Sequence, residues 1–344
     1  MELSILRKQD EIFHVPQAQQ YCRGDFLTWD PMITTPPGLY CASLVYVASL
    51  FPGAWMVRLA ETFDVLCSTA ILRSTNVIMA MVCAVLFHDL LLCIRPGIGT
   101  RKATIYAILV ALYPVHWFFT FVYYTDVASL ATVLAMYLSC LKKRFWVSAL
   151  FGALSILFRQ TNVIWMIFFA ANGAISYTQD LYLKNNISHE KSESTRKSYK
   201  TVLGNDNQIS SQGLAEELWD VSLKLWNSKC KVLIAFTPFA AVMVSFIAFI
   251  IWNGGIVLGK SQTRVWVISF VLSVGLVLVP APLVEFRYYT IPFVILILHS
   301  PVIGNGKLLA LGLLYVAADL FTLAMFLFRP FHWEHEPGTQ RFMW

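Results

Sequence analysis

Three ionisable side chains lie close together near the amino end of the chain. Asp10 and Glu11 are adjacent, and His14 follows Asp10 by about one helical turn. A carboxylate that removes the proton of an attacking hydroxyl group accelerates a transfer reaction by about 10²–10⁴-fold. Such a group on its own is more often a solvated loop than a catalytic site, so residues elsewhere in the chain decide between these interpretations.

Further polar and aromatic residues interrupt the apolar stretches at three places. They are Tyr123, Tyr124 and Asp126 in YYTD, Arg159 and Gln160 in FRQTN, and Glu285, Arg287 and Tyr288 in VEFRYY. An arginine guanidinium group near the lipid headgroups can neutralise a leaving phosphate. A carboxylate base combined with arginine therefore predicts the transfer of a group from a lipid phosphate.

The composition is that of a membrane protein. Hydrophobic residues make up 57% of the chain and charged residues 13%, whereas a soluble domain has roughly 25% charged residues. Apolar runs occur at about 74–94, 103–123, 127–141, 145–176, 232–252, 265–284 and 308–328. FRQTN (158–162) interrupts the fourth run, which predicts two short helices there. Because helices satisfy their own backbone in lipid, we expect an all-α polytopic membrane protein.

Basic loops predict which polar segments face the cytosol. Residues 95–102 and 142–144 each contain three Lys or Arg, and the hydrophilic stretch 177–231 contains eight. We therefore expect a far-side catalytic loop with an interfacial helix (1–73), membrane helices (74–176), a cytosolic insert (177–231), membrane helices (232–328) and a C-terminal tail (329–344). Asp10, Asp126 and Arg159 then lie on the same far side of the membrane.

Several other residues have ordinary structural interpretations. Arg73 and Asp89 lie near the ends of apolar runs, where charged side chains reach the membrane surface more often than they form part of a functional site. Asp319 lies within a run, which predicts a hydrogen bond between helices, and His116 is interpreted as a satisfied interior histidine.

The seven cysteines show no paired spacing. Cys22 and Cys41 could form a disulfide if their loop faces an oxidising lumen. Cys67, Cys83, Cys93 and Cys140 are interpreted as packing residues.

The opening polar segment resembles one known family. DEIFHVPQAQQYCRGDFLTWDPMITTPPGLY (10–40) is similar to the first lumenal loop of the eukaryotic endoplasmic-reticulum α-1,2-glucosyltransferases, which add the terminal glucose to the dolichol-linked precursor of N-glycans. FVYYTD, LFRQTNVIW, NGGIVLG, LVEFRYYTIP and QRFMW match the same family in order. The resemblance implies a C-type glycosyltransferase architecture, and it implies that the far side is the lumen of the endoplasmic reticulum.

The resemblance also implies the substrates and the roles of site residues. Dolichyl phosphate glucose is the expected donor, a diglucosylated dolichol-diphosphate-linked oligosaccharide is the expected acceptor, and the reaction inverts the sugar configuration. Asp10 is the expected general base, with Glu11 as second choice, and no metal or other cofactor is expected. Charge makes His14, Arg159 and Arg287 the candidates for contact with the donor phosphate. The candidates for sugar or acceptor contact are Trp29, Asp30, Tyr123, Tyr124, Asp126 and Gln160. Membrane lipid is an expected partner and nucleic acid is not.

Two features of the sequence depart from the family pattern. Members usually have a membrane helix before the motif at residue 10, and they have further spans and an Asp-Asn-Arg-His-Tyr motif between the positions of Lys260 and Glu285. A single crossing by the run 265–284 then predicts Arg287 on the face opposite Asp10, roughly 30 Å away. Either this run does not cross the membrane fully, or pieces of the site are missing from the chain. The alternatives are therefore an inactive truncated isoform, and more distantly a polytopic transporter or a lipid-transfer protein without catalysis.

Overall fold

The structure is a computed structural model that describes residues 11–33, 35–51, 66–194, 219, 223–224, 229–250, 290–299 and 304–329. Several predictions lie outside these residues. They concern Asp10, the run 265–284, Arg287 with its neighbours Glu285 and Tyr288, and the C-terminal tail. The described part of the chain is helical and contains no strand. The expected all-α fold is confirmed.

The helices follow one another with short connections through most of the chain. They are α1 (Glu11–Cys22), α2 (Gly38–Leu50), α3 (Thr69–Ile94), α4 (Thr100–Ala111), α5 (Pro114–Thr120), α6 (Thr125–Leu141), α7 (Phe145–Phe158), α8 (Asn162–Ser194), α9 (Lys229–Ile250), α10 (Thr290–His299) and α11 (Asn305–Phe328). A 3₁₀ helix, Pro96–Ile98, connects α3 to α4.

Two helices in the described part of the chain are long and apolar enough to cross a membrane by themselves. These are α3 with 26 residues and α11 with 24 residues. Helices α4 and α5 pass the same criteria together, but they are bent by 70° at the break between them. The apolar run 103–123 is thus two helices, because Pro114 lacks an N–H group and keeps Tyr113 out of the helical conformation, with ψ of 121°.

The break predicted at FRQTN is confirmed. Helix α7 ends at Phe158, Arg159 is extended, and α8 begins at Asn162. The tight turn between α6 and α7 at the opposite end uses Lys143 with φ of 58°. These two turns make α6, α7 and the start of α8 antiparallel neighbours, so residues 124–126 and 159–162 lie at the same end of the bundle.

Helix α6 lies at the centre of the bundle and packs mainly against α7 and α3. Along it, 13 of 17 residues are buried. Small polar side chains tie the helices together: the Ser148 hydroxyl donates to the Met136 carbonyl at 2.7 Å, and Asn162 Nδ2 donates to the Ser129 hydroxyl at 2.7 Å. Such contacts replace the hydrophobic driving force that lipid does not supply between membrane helices.

Helices α1 and α2 form a layer at the end of the bundle where residues 124–126 and 159–162 lie. Helix α2 has 13 residues, about 20 Å at 1.5 Å per residue, which is too short to cross a hydrocarbon core of about 30 Å. Its side chains and those of α1 share one cluster with the bundle; the buried members are Val15, Ala18, Tyr21, Ile33, Leu39, Tyr40, Leu72, Tyr123, Ala128 and Phe158. The layer therefore packs on α3, α6 and α7 through apolar contacts.

A disulfide joins the end of α1 to the residues just before α3. It pairs Cys22 with Cys67, so the expected pairing of Cys22 with Cys41 and the interpretation of Cys67 as a packing residue were wrong. Cys41 is exposed in the first turn of α2, whereas Cys67 is buried, and its carbonyl accepts a hydrogen bond from Gln19 of α1. Closing a loop with a separation of 45 residues stabilises the folded chain by about 4 kcal/mol in the chain-entropy model.

Two buried polar groups in the bundle differ from their predicted state. Within the described part of the chain, neither carboxylate oxygen of Asp319 has a hydrogen-bond partner, so the predicted bond between helices is not seen there. Nε2 of His116 likewise lacks a partner among these residues. Both side chains are almost fully buried, at 4% and 3% exposure.

Gly38 allows the layer to approach the bundle closely. A methyl group at Gly38 would lie 2.5 Å from the carbonyl oxygen of Leu157 and 2.6 Å from its carbonyl carbon. Backbone atoms at the end of α7 cannot move aside as a flexible side chain can. Only glycine therefore fits where α2 meets α7.

Replacing Gly38 by alanine is expected to destabilise the protein by about 1–3 kcal/mol, because the added methyl group forces the two helices apart. Thermal unfolding of the purified protein in detergent measures this as a lower Tm. Gly97→Ala is the matched control, because nothing lies within 4 Å of the added methyl group. Equal Tm values for both variants would contradict the close approach.

Candidate active site

Glu11, the first residue of α1, is buried against two other elements. Its carboxylate accepts hydrogen bonds from Arg73 Nε at 2.8 Å and Arg73 Nη2 at 2.7 Å. The backbone N–H of Tyr123 donates to Glu11 Oε1 at 3.0 Å. The Glu11 side chain is 1% exposed and that of Arg73 is 15% exposed. This bidentate geometry is the strongest form of carboxylate–guanidinium pair.

Asn76 holds the same turn from the opposite side. It lies three residues after Arg73 on α3, and therefore on the same helix face. Its Nδ2 group donates to the carbonyl oxygens of Val122 and Tyr124, at 2.5 and 2.8 Å. The extended residue Tyr124, which precedes α6, is thus fixed by a fully buried amide. Glu11 and Asn76 together fix the backbone of the YYTD turn.

Aromatic residues surround His14. Its Nδ1 is hydrogen-bonded to the Tyr40 hydroxyl at 2.6 Å, and its ring packs edge-on against Tyr124 with centroids 4.9 Å apart. Burial raises the pKa of the Tyr40 phenol, so Tyr40 keeps its proton at all physiological pH values. A hydrogen bond between the hydroxyl groups of Ser43 and Tyr123, at 2.8 Å, links α2 to the YYTD turn. His14 is therefore positioned by three elements at once.

The loop between α1 and α2 is organised by hydrogen bonds from the chain itself. Gln17 donates to the Thr28 carbonyl at 2.8 Å and accepts from the Asp30 N–H at 2.9 Å. Trp29 is 37% exposed and packs edge-on against Tyr40. Hydrogen bonds from the side chain and backbone of Thr28 lower the pKa of the exposed Asp25 carboxyl. Because Trp29 packs against Tyr40 and the Asp30 N–H is bonded to Gln17 of α1, both residues lie beside the aromatic group around His14.

A second buried ion pair joins the last residue of the YYTD motif to the break after α7. Arg159 Nη1 donates to Asp126 Oδ1 at 2.7 Å, and the side chains are 12% and 8% exposed. Asn162 and Thr290 are close by and help to line a cavity of about 40 Å³ at this pair. Gln160, in the same turn, is exposed.

A larger crevice opens beside the Glu11–Arg73 pair. It has a volume of about 420 Å³ and lies between α3, α5 and α11. Its walls are mainly apolar; besides Arg73 and Ser74 they include Ala70, Val77, Trp117, Phe118, Phe121, Val122, Leu323, Phe326 and Leu327. Such a crevice suits a hydrocarbon chain whose polar end lies near Arg73. In the described part of the chain, no three His, Cys, Asp or Glu side chains are arranged to hold a metal ion.

The structure brings all nine of the described candidate residues to one end of the bundle. Those found there are Glu11, His14, Trp29, Asp30, Tyr123, Tyr124, Asp126, Arg159 and Gln160. Sequence reasoning missed Arg73 and Asn76, which make direct contacts with this group. Both lie in or next to an apolar run, and their spacing of three residues was the available signal that they share a face.

A family model described as the DIE2/ALG10 family matches residues 7–265 and 259–298 of the chain. The chain belongs to the DIE2/ALG10 family. The resemblance found in the sequence motifs is thereby confirmed. No solved structure matches the chain.

Curated relatives in this family carry the name Dol-P-Glc:Glc(2)Man(9)GlcNAc(2)-PP-Dol alpha-1,2-glucosyltransferase. The Arabidopsis thaliana protein is 36% identical over 97% of this chain and 94% of its own length. A Homo sapiens protein is 25% identical over 97% of this chain and 92% of its own length. The Mus musculus protein is 33% identical over 74% of this chain and 52% of its own length.

The alignments also contain an internal gap. The match to the Arabidopsis protein extends over 479 positions, whereas this chain has 344 residues. Part of the Arabidopsis protein therefore aligns with gaps in this member of the DIE2/ALG10 family. The two pieces matched by the family model meet at 259–265, next to Lys260, where the sequence pattern predicts missing spans.

Replacing Asp126 by asparagine is expected to destabilise the protein by about 3–5 kcal/mol, because it removes the carboxylate from a guanidinium group that is largely buried. The matched control is Asp180→Asn at the other end of the bundle. Asp180 pairs with Lys143, but these side chains are 40% and 52% exposed, so a change of at most about 1 kcal/mol is expected. Thermal unfolding in detergent compares the two variants, and similar losses would contradict the assignment of Asp126 to a buried pair.

Proposed function

We propose that this chain is an inverting α-1,2-glucosyltransferase of the endoplasmic-reticulum membrane. It moves glucose from dolichyl phosphate glucose to the diglucosylated dolichol-diphosphate-linked oligosaccharide, the last step in assembling the precursor for protein N-glycosylation. The observation that carries the proposal is the family match, with a relative named for this reaction at 36% identity over 97% of the chain. The long apolar helices of the described chain support a substrate pair that is held in the membrane.

In this reaction Asp10 acts as the general base and removes the proton of the acceptor hydroxyl group. The hydroxyl oxygen attacks the anomeric carbon, and the bond from that carbon to the phosphate oxygen breaks on the opposite face. Arg159, His14 and Arg287 are the proposed phosphate contacts, where positive charge stabilises the leaving dolichyl phosphate. Trp29, Asp30, Tyr123, Tyr124, Asp126 and Gln160 are the proposed contacts of the sugars.

The geometry of the described residues supports this assignment in two ways. The candidates that come from distant parts of the sequence lie at one end of the bundle, because Tyr123 contacts Glu11 and Arg159 contacts Asp126. The 420 Å³ crevice beside Arg73 opens at the same end and has mainly apolar walls. A lipid-linked donor needs such a combination of a polar group and an apolar groove.

The disulfide supports the lumenal side for this end of the molecule. Disulfides persist in the lumen of the endoplasmic reticulum and are rare in the cytosol. Cys22 and Cys67 close the segment that contains Trp29, Tyr40 and the whole of α2. The basic residues at 95–102 and 142–144 lie at the opposite end of the bundle, as the positive-inside rule requires for this orientation.

The proposed function predicts glucose transfer by the chain itself. Microsomes from cells that lack the endogenous enzyme are supplied with radiolabelled dolichyl phosphate glucose and the diglucosylated lipid-linked acceptor. The chain is expected to produce triglucosylated product, and Asp10→Asn is expected to lower the rate at least about 10²-fold, because the acceptor hydroxyl loses its base.

The Arabidopsis relative, expressed in the same microsomes, is the positive control for the assay. Product from the relative but none from this chain would contradict the proposed function and favour an inactive form. Equal rates for the chain and for Asp10→Asn would contradict the role of Asp10.

Counting the cysteines that react with a thiol reagent tests the disulfide, which supports the lumenal assignment. Of seven cysteines, five are free, so a thiol-reactive polyethylene glycol is expected to modify five in denatured, unreduced protein and seven after reduction. Cys41→Ser is expected to give four before reduction, whereas Cys67→Ser is expected to give six because it releases Cys22. Modification of all seven without a reductant would contradict an oxidising environment for this segment.

A further inference from the structure

We propose that Glu11 is a positioning residue for this reaction and not an alternative base, and that it acts through Arg73 and Asn76. The inference rests on the proposed function and deepens it, because it assigns different roles to the two adjacent carboxylates at positions 10 and 11. It starts from the contacts of the Glu11 side chain.

The Glu11 carboxylate is occupied by donors of the protein. Oε1 accepts from Arg73 Nε and from the Tyr123 N–H, and Oε2 accepts from Arg73 Nη2. The side chain is 1% exposed. A general base must come within about 2.6–3.2 Å of the hydroxyl that it deprotonates. A carboxylate that is enclosed and bonded in this way cannot reach a substrate without first leaving Arg73.

The same contacts join three separate parts of the fold. Glu11 is the first residue of α1, Arg73 is in the first turns of α3, and Tyr123 is in the turn before α6. Asn76 extends the connection, because it binds the carbonyl groups on both sides of Tyr123. The backbone of the YYTD turn is therefore held by one hydrogen bond to Glu11 of α1 and by two hydrogen bonds to Asn76 of α3.

This arrangement fixes the chain immediately next to the proposed base. Asp10 precedes Glu11 in the sequence, so tethering Glu11 to α3 limits where the Asp10 backbone can lie. The Glu11 carboxylate also binds the Tyr123 N–H, and the chain continues from Tyr123 to Tyr124 and Asp126. Misplacing reacting groups by about 1 Å can lower a rate by about 10²-fold. The pair thus holds Glu11, the covalent neighbour of the base, next to the turn whose residues are proposed to contact the sugars.

Glu11→Gln is the central test, because glutamine keeps the shape and one acceptor oxygen but loses the charge. The glutamine oxygen can still accept from Tyr123, but its amide nitrogen cannot accept from Arg73 Nη2. In the microsomal assay, kcat is expected to fall about 10- to 100-fold, with KM for the donor nearly unchanged. The pH at which kcat/KM reaches half its maximum is expected to remain that of the unsubstituted chain, because the base is still Asp10.

Matched variants separate positioning from general damage. Arg73→Lys is expected to recover part of the activity that Arg73→Gln loses, since lysine restores the charge but not the bidentate contact. The double variant Glu11→Gln with Arg73→Gln is expected to be no slower than either single variant, because both remove one interaction. Asp180→Asn, at the opposite end of the bundle, is expected to leave kcat unchanged.

Two results would overturn the inference while leaving the proposed function intact. One is complete loss of transfer in Glu11→Gln, equal to Asp10→Asn, in a protein that keeps the Cys22–Cys67 disulfide and its Tm. The other is a shifted pH profile in Glu11→Gln. Either would contradict a role for Glu11 in positioning alone.

Lack of transfer by the unsubstituted chain would instead count against the proposed function. The structural part of the inference is then decided by thermal unfolding in detergent. Glu11→Gln and Arg73→Gln are each expected to lower Tm, and the double variant is expected to lower it no further. Additive losses would show that the two residues are not coupled and would overturn the inference.

Discussion

The ion pair between Glu11 and Arg73 is the contact on which the arrangement of the polar end depends. Moving a carboxylate out of water costs several kcal/mol before any pairing, and Glu11 is 1% exposed. The chain offsets this cost with a bidentate guanidinium contact and a backbone N–H from Tyr123. These donors belong to different elements, so the carboxylate is satisfied only when α1, α3 and the YYTD turn are all in place. The pair therefore couples the α1–α2 layer to the membrane bundle.

Breaks in the helices supply the polar turns that this end of the bundle needs. A turn at membrane depth exposes backbone groups that lipid cannot satisfy, so such turns are tolerated only where protein groups bind them. The YYTD turn between α5 and α6 and the break at Arg159 are turns of this kind. Asn76 binds the carbonyls of the turn that follows α5, and Asn162 donates to the Ser155 carbonyl beside the break after α7. Buried asparagines thus make non-helical backbone possible where the candidate site lies.

Features that depend on local sequence patterns could be predicted from the sequence. FRQTN visibly interrupts an apolar run, and counting the runs places Asp126 and Arg159 at the same end. The role of Arg73 was missed, because a charge near the end of a run has a sufficient local explanation, and its partner is 62 residues away in the sequence. Cys67 was missed as a disulfide partner for the same reason, since a cysteine beside an apolar run is usually a packing residue.

Helix α1 is fixed to the start of α3 at both of its ends. Glu11 at its first residue contacts Arg73, and Cys22 at its last residue is bonded to Cys67. A lipid-linked sugar is confined to a thin layer at the membrane surface, so an enzyme that uses it must hold its own reacting groups at a fixed depth. A helix that is tied at both ends to a membrane-spanning helix meets this requirement, because neither tilting nor sliding is possible without breaking a buried ion pair or a covalent bond. Two residues of the polar opening segment, Glu11 and Cys22, are thus the attachment points that hold α1 against the membrane bundle.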